Sequence, residues 1–190
     1  TKIDNSRAVR NRMSLAEITE IINRPTLTAD VVGEVLNIFR EEGNSFIRPF
    51  KTEDPASHTL LPGTVLDITH ESLIRNWNKL NQWANKEFEY YSTFQDFQKQ
   101  LERWKQSGKS SGYLLPIGPL TYFENWYNSC KPNIGWIRRY AEINSDHQQT
   151  IRESTAVLAD TKEFLQKSAR KEMVTRAFMK YGPKKIATIL

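Results

Sequence analysis

The sequence predicts a mainly α-helical protein: a winged helix-turn-helix with a small β-hairpin, followed by an α-helical bundle and a long C-terminal helix. Three observations carry this. Two short stretches with helical hydrophobic spacing precede two extended segments joined by a polar loop, which is the chain order of a winged helix-turn-helix. Beyond residue 70 the large apolar residues recur at intervals of three or four, the period of a helix rather than a strand. No internal repeat or low-complexity tract interrupts the 190 residues, a length that supports one good core or a small domain with a helical extension.

Residues 1–13 are polar and basic, with Arg7, Arg10 and Arg12, and read as an irregular end. Ser14-Leu15-Ala16-Glu17 has the spacing of a capping box, in which hydroxyl and carboxylate satisfy each other's backbone donors. Leu15, Ile18, Ile21 and Ile22 then mark a short helix that stops before Pro25. Thr26 or Thr28 starts a second helix with Val31, Val32, Val35, Leu36 and Phe39 as its expected buried side, ending near Gly43. Phe46, Ile47 and Phe50 are extended, Pro49 marking an edge strand. Residues 51–63 form a polar loop with Pro55, Pro62 and Gly63, and residues 64–69 return as the partner strand.

His70 stands where that strand runs into an amphipathic helix. Leu73, Trp77, Leu80 and Ala84 make its apolar stripe, and Ile74 and Trp83 widen it, to about Lys86. Tyr91, Phe94, Phe97, Leu101 and Trp104 continue the pattern over residues 88–107, and Ser107-Gly108-Lys109-Ser110-Ser111-Gly112 breaks it. Pro119 begins a short aromatic helix with Leu120, Phe123, Trp126 and Tyr127, ended by Lys131-Pro132, and residues 134–140 are compact and aromatic. Residues 144–181 are helical again, with Val157, Leu158, Phe164 and Leu165 apolar and the rest polar and increasingly basic, until Gly182-Pro183.

Composition removes several functions. Nine Phe, seven Tyr and five Trp mark a globular chain rather than a disordered one. The lone Cys130 rules out an internal disulfide and fits a reducing compartment. No apolar run approaches the roughly 20 residues that cross a bilayer, and Thr1-Lys2-Ile3-Asp4 is no signal peptide. The first residue is not Met, so a fragment or processed chain is expected. The net charge of +5 comes wholly from Arg152 onward, where nine Lys/Arg meet four Asp/Glu; the preceding part holds 18 of each sign. The basic whole-chain balance is therefore no nucleic-acid signature of the folded core.

Among the motifs, Gly108-Lys109-Ser110 invites a phosphate-loop reading. That pattern needs a glycine five residues before the Gly-Lys pair, where Arg103 stands, and a strand before the loop, where a helix is predicted. It is read as a helix-to-helix loop, and no nucleotide-hydrolysing machinery or catalytic residue is assigned to the chain. His58, His70 and His147, with one distant cysteine, offer no metal-ligand spacing, so no metal site is expected. The candidate recognition helix over residues 28–42 sets Asp30, Glu34, Glu41 and Glu42 against Arg40 alone, a net charge near −3 that opposes DNA binding. Trp77, Trp83, Trp104, Trp126 and Trp136 sit at helical spacing among apolar neighbours and read as core rather than as a base-stacking platform. The basic C-terminal helix reads as a solvated helix or a linker. A membrane-proximal segment is the sharper alternative, with Ile186-Ala187-Thr188-Ile189-Leu190 as the start of a span. His70, at a helix start where free N–H groups attract anions, is either a capping or packing residue or a ligand for a phosphate held by another part of a larger protein.

The run Asp67-Ile68-Thr69-His70-Glu71-Ser72-Leu73-Ile74-Arg75, with Trp77 and Trp83 behind it, closely resembles the region after the ATPase core in bacterial novel STAND NTPases. Residues 14–50 are similar to the winged helix of that family, and the pattern from Phe88 through Trp104, Gly108, Trp126 and Trp136 to Tyr140 is similar to its helical region. In STAND proteins a histidine in a Met-His-Asp motif at the end of the winged helix contacts the ADP phosphate. The resemblance implies that role for His70, although Thr69 and Glu71 replace the flanking Met and Asp. It also implies that the phosphate-binding loop and the magnesium-binding acidic strand lie upstream.

The resulting expectation is a non-catalytic fragment of a STAND-type signalling ATPase that regulates an ADP/ATP-dependent conformational switch and oligomerisation. Its segments would be an end or linker over 1–13, a winged helix over 14–87, a helical domain over 88–145 and a basic helix or linker over 146–190. The fragment itself would need no cofactor, the parent using ATP/ADP with Mg. Its partners would be the upstream NTPase core of the same chain and further copies of the parent, in the cytoplasm, with a membrane tether downstream left open. A winged-helix transcription regulator and a helical interaction scaffold are the alternatives.

Overall fold

The computed structural model describes residues 2–4, 7–9, 11–70, 72–140 and 147–182. In chain order its elements are β1 (Lys2–Asp4), β2 (Arg7–Val9), β3 (Met13–Ser14), α1 (Leu15–Ile22), α2 (Ala29–Ile38), β4 (Ile47–Arg48), β5 (Val65–Ile68), α3 (Ser72–Asn76), α4 (Asn78–Gln106), α5 (Ile117–Cys130), α6 (Ile134–Arg138) and α7 (His147–Tyr181). The mainly α architecture, with two helices and a small hairpin ahead of a helical region and a long C-terminal helix, is the one expected. β1 pairs with β2, while β3, β5 and β4 form a separate antiparallel sheet in that order. In this sheet Met13 faces Leu66, Ser14 faces Val65, and Ile47 faces Ile68. Strands this short show too little alternation to be read from sequence, and β1, β2 and β3 went unread. The expected helix start at Asn144, Pro183 and the run Ile186 to Leu190 lie outside the described residues.

The chain divides into two units, each assembled from two stretches: residues 1–91 with 133–154, and residues 92–132 with 155–190. In the first, the capping box forms as predicted. The Ser14 N–H donates to the Glu17 carboxylate at 2.7 Å, and the Glu17 N–H donates to the Ser14 hydroxyl at 3.2 Å. Thr28, not Thr26, caps α2 by accepting from the Val31 N–H. Leu15, Val32, Leu60 and Leu66 make the core of this part, with Ile18, Ile22, Leu27, Leu36 and Ile47 against it. The expected buried side of α2 needs correction. Val31 and Val35 are exposed, and the face turned inward holds Val32 and Gly33 with Leu36. The helix is apolar around more than half its circumference, so spacing alone does not choose the inner face.

The second stretch of this unit lays α6 on α1. Asn133 Nδ2 donates to the Ile21 carbonyl at 2.8 Å, and Arg138 pairs with Glu20 at 2.5 Å. The Glu87 carboxylate accepts from Trp136 Nε1 at 2.8 Å, from the Tyr140 hydroxyl at 2.5 Å and from the Arg139 guanidinium. Tyr140 also stacks on Tyr91, ring centroids 4.0 Å apart.

The second unit is an aromatic helical core. Phe94, Phe97, Leu101 and Trp104 of α4 meet Leu120, Phe123 and Trp126 of α5 and Phe164 and Leu165 of α7. Phe97 lies 5.1 Å from Phe123 edge-on, and Trp104 stacks on Phe164 at 4.9 Å. The solvated-helix or linker reading of the C-terminal helix is therefore corrected over its middle turns. Thr161, Phe164, Leu165 and Ser168 are buried there, and the Ser168 hydroxyl accepts the Leu115 N–H at 3.1 Å. Small hydroxyl residues fill the inner face, and these read as polar in a hydrophobic pattern. The tryptophans also divide. Trp104, Trp126 and Trp136 are core, whereas Trp77 and Trp83 are exposed, a correction to the uniform core reading. Both lie on flanks of the widened stripe whose inner edge is Ile74 and Ala84.

Two buried helical glycines give opposite expectations. A Cβ on Gly135 would sit 3.1 Å from Glu20 Cγ, 3.2 Å from the Glu20 carbonyl carbon and 3.2 Å from the Ile21 nitrogen, so Gly135→Ala must push α6 off α1. A Cβ on Gly33 meets only Leu15 and Leu60, each at an ordinary 3.7 Å. In urea denaturation, Gly135→Ala is expected to lose about 1–3 kcal/mol through overpacking, and Gly33→Ala to gain about 0.5–1 kcal/mol from helix propensity and reduced unfolded-state entropy.

Candidate functional site

His70 is held from behind. The Thr69 N–H donates to the Phe46 carbonyl at 2.9 Å. Its buried hydroxyl donates to the Ser45 and Phe46 carbonyls at 3.1 and 3.2 Å. The last residue before His70 is thus pinned to the chain leading into β4. On the other side the His70 carbonyl accepts the Leu73 N–H at 3.1 Å, turning the chain into α3, whose Ile74 is buried. The imidazole itself is exposed and makes no hydrogen bond to any described residue. Beside this joint the Trp77 ring lies 6.5 Å from Phe39 and 6.4 Å from Phe46, a half-open aromatic cluster. This exposure removes packing from the readings left open for His70, and leaves capping and a phosphate contact. Glu71 lies outside the described residues, and α3 is five residues long. So short a helix aligns few peptide dipoles, and any anion contact here falls to the ring rather than to the helix end.

Ahead of the joint stands a residue that sequence reasoning took for a surface cation. Arg40 is only 2% exposed. Its Nε donates to the Pro49 carbonyl at 2.5 Å and one terminal nitrogen to the Ser57 carbonyl at 2.9 Å and the Phe50 carbonyl at 3.5 Å, while the other reaches Asn37 Oδ1. Asn37 Nδ2 in turn donates to the His58 carbonyl at 2.9 Å. His58 Nε2 bonds the Thr52 carbonyl at 2.9 Å, so this histidine is spent inside the loop between β4 and β5. Burial pulls the Arg40 guanidinium below its ordinary pKa. No pattern in the sequence marks it, because its partners are carbonyls of a loop with no regular register.

Residues 1–112 match the model of a protein family described as Novel STAND NTPase 1. The chain belongs to this family. No curated protein and no solved structure matched it. The matched span of the STAND chain takes in both hairpins, the His70 joint and all of α4, and ends within the turn after α4; α5, α6 and α7 lie beyond it.

That turn holds the Gly108-Lys109-Ser110 sequence, and the structure gives its lysine another task. Lys109, with φ of 61°, pairs with Glu163 at 2.5 Å and Asp160 at 3.3 Å on α7, and Lys105 also holds Asp160 at 2.8 Å. Glu163 hydrogen-bonds Lys109 and Lys167, which hold its carboxyl below the ordinary 4.5. Burial pushes Asp160 upward, but Lys105 and Lys109 outweigh it, leaving that group below the ordinary 3.8. The helix-to-helix loop expected here is what forms. Among the described residues no cluster of three His, Cys, Asp or Glu could hold a metal ion, and no helix is long and apolar enough to cross a membrane.

Arg40→Met, which keeps the stem and removes every donor, is expected to cost about 2–4 kcal/mol by stranding buried carbonyls. Limited proteolysis within residues 51–63 should accelerate with it. For the Lys109 network the sign follows from carboxyls whose folded values are depressed. The stability advantage of the native chain over the Asp160→Asn/Glu163→Gln double variant should be full above about pH 5 and vanish as pH falls through the depressed carboxyl values. Melting temperatures of both proteins across pH 2.5–7 (roughly the span over which carboxyls titrate) check this.

Proposed function

We propose that this chain is a non-catalytic part of a STAND-type signalling ATPase that helps hold the ADP-bound resting state and couples its release to oligomerisation. The observation that carries the reading is the exposed imidazole of His70, without a hydrogen bond among the described residues and anchored by Thr69 at the end of β5 in a chain of the STAND family. Such a ring suits a phosphate. A neutral imidazole N–H donates to a phosphate oxygen, and a protonated one adds opposite charge. The nucleotide with its Mg, and the hydrolytic groups, would belong to the NTPase core upstream in the same protein, and His70 would be this chain's share of the nucleotide contact.

The three-stranded sheet and the Arg40 network make the support of that ring stiff, so its loss of contact would release the whole helix–helix–hairpin part as a body, the two-state element of a switch. The charge of α2 argues for a protein-facing role over DNA. With Arg40 turned inward, its outer face offers Asp30 and Glu34 and no exposed cation, which would repel phosphates on both sides of a groove. A cytoplasmic setting fits the use of ATP.

In the full-length parent, purified with bound nucleotide, His70→Ala is expected to release ADP about 10–100-fold faster, the loss of one hydrogen bond to a charged group. Signalling without ligand should rise with it. Unchanged ADP retention and signalling would sink the switch and leave a passive helical scaffold.

A further inference from the structure

Two exposed helix faces of the chain carry apolar residues beside charges of opposite sign. On α2, Val31, Val35 and Ile38 are 39%, 54% and 54% exposed and stand at intervals of four and three, one continuous stripe. Asp30 and Glu34 border one side of it and make no ion pair among the described residues. Glu41 continues that border but is engaged by Lys51 at 2.9 Å. On the last turns of α7, Met173, Val174 and Phe178 are 65%, 37% and 52% exposed along one side, with the exposed Arg170 one turn before them on that side. The inner face of α7 is filled with core residues only as far as Ser168 and does not extend over these turns. A helix advances about 1.5 Å per residue, so each stripe is roughly 6–11 Å long, the size of one helix–helix crossing.

We infer that these faces bind each other between copies: the acidic-bordered stripe of α2 in one copy receives the basic-bordered end of α7 from a second copy. The occupant is chosen by charge. An α2 stripe against another α2 stripe opposes carboxylates, and two α7 ends oppose guanidinium groups, whereas the mixed pair joins unlike borders around an apolar centre. The contact is heterologous, so it propagates into a ring or an open chain instead of closing at two copies. Three residues a side fall well short of the roughly 800 Å² per partner of a stable complex, so one contact is weak and gains strength only when copies are already gathered. The inference rests on the oligomerisation proposed above and names its surfaces; it does not depend on His70.

Sedimentation equilibrium of the 190-residue chain from about 10 μM to 1 mM, at low and high salt, tests it over the range where weak contacts register. The native chain should self-associate, more weakly at high salt. Val35→Lys/Ile38→Lys and Val174→Gln/Phe178→Gln should each be monomeric with unchanged helix content, having lost at least tenfold in affinity. An equimolar mixture of the two should form a one-to-one dimer, because each retains one intact face. A monomeric native chain would overturn the inference and leave the α2 stripe to another partner. Self-association surviving either double variant, or a mixture that stays monomeric, would overturn it as well. His70→Ala should self-associate like the native chain, so a failure here and a failure of the nucleotide reading are told apart.

Discussion

A guanidinium without a carboxylate partner among the described residues organises the first unit. Arg40 carries its charge into the protein and finds there, among the described residues, carbonyl oxygens of Pro49, Phe50 and Ser57 and the amide of Asn37. Leaving any of these donors unmet in a buried site would cost more than the bond contributes when made, so the loop has little freedom to be elsewhere. Once that loop is gathered around Arg40, β4 has its position. Pairing of β4 with β5 follows, Ile47 against Ile68, and with it the exit point of the chain at Thr69. The exposed histidine beyond is thus placed by a residue 30 positions earlier that never touches it.

This order of dependence explains why a side chain open to solvent can still be held in one place. Thr69 supplies two donors to the chain entering β4, one from the backbone and one from the hydroxyl, and the His70 carbonyl is engaged by the first turn of α3. The Thr69 hydroxyl holds the joint with directional bonds, which fix its orientation as packing alone would not. In the second unit, similarly, an apparent phosphate-loop lysine is consumed by two carboxylates of α7 and closes a helix turn instead of meeting a ligand.

Much of this was legible in the residues themselves. The capping box at Ser14 and Glu17 formed as read, because its geometry is local and four residues suffice to specify it. The hairpin, the break after Trp104 and the aromatic helix around Phe123 were equally local. What failed was the placing of Val31 and Val35 on the inner face of α2 and of Trp77 and Trp83 in the core. Val31 and Val32 are chemically identical, and the choice between them is made by Leu15, Leu60 and Leu66, distant in sequence. Trp83 resembled core for the same reason. The inner face of α7 escaped because Thr161 and Ser168 are buried by fit and hydrogen bonding rather than by hydrophobicity. At the candidate site, His70 was found through its neighbours in sequence, whereas Arg40 gave no sign, its role being written in loop carbonyls.

The discontinuity of the first unit has a consequence for how the chain is made. Its residues 1–91 acquire the covering of α1 and the three donors that satisfy Glu87 only from residues 133–140. A nascent polypeptide that has emerged through α4 therefore holds a bare carboxylate and an uncovered helix until residues 133–140 have left the ribosome. Contacts closing over more than a hundred residues also make the final docking slow relative to the local helices. Truncated or stalled products ending near residue 112 would retain the exposed histidine yet lack the seal over α1, which makes them ready substrates for quality-control proteases.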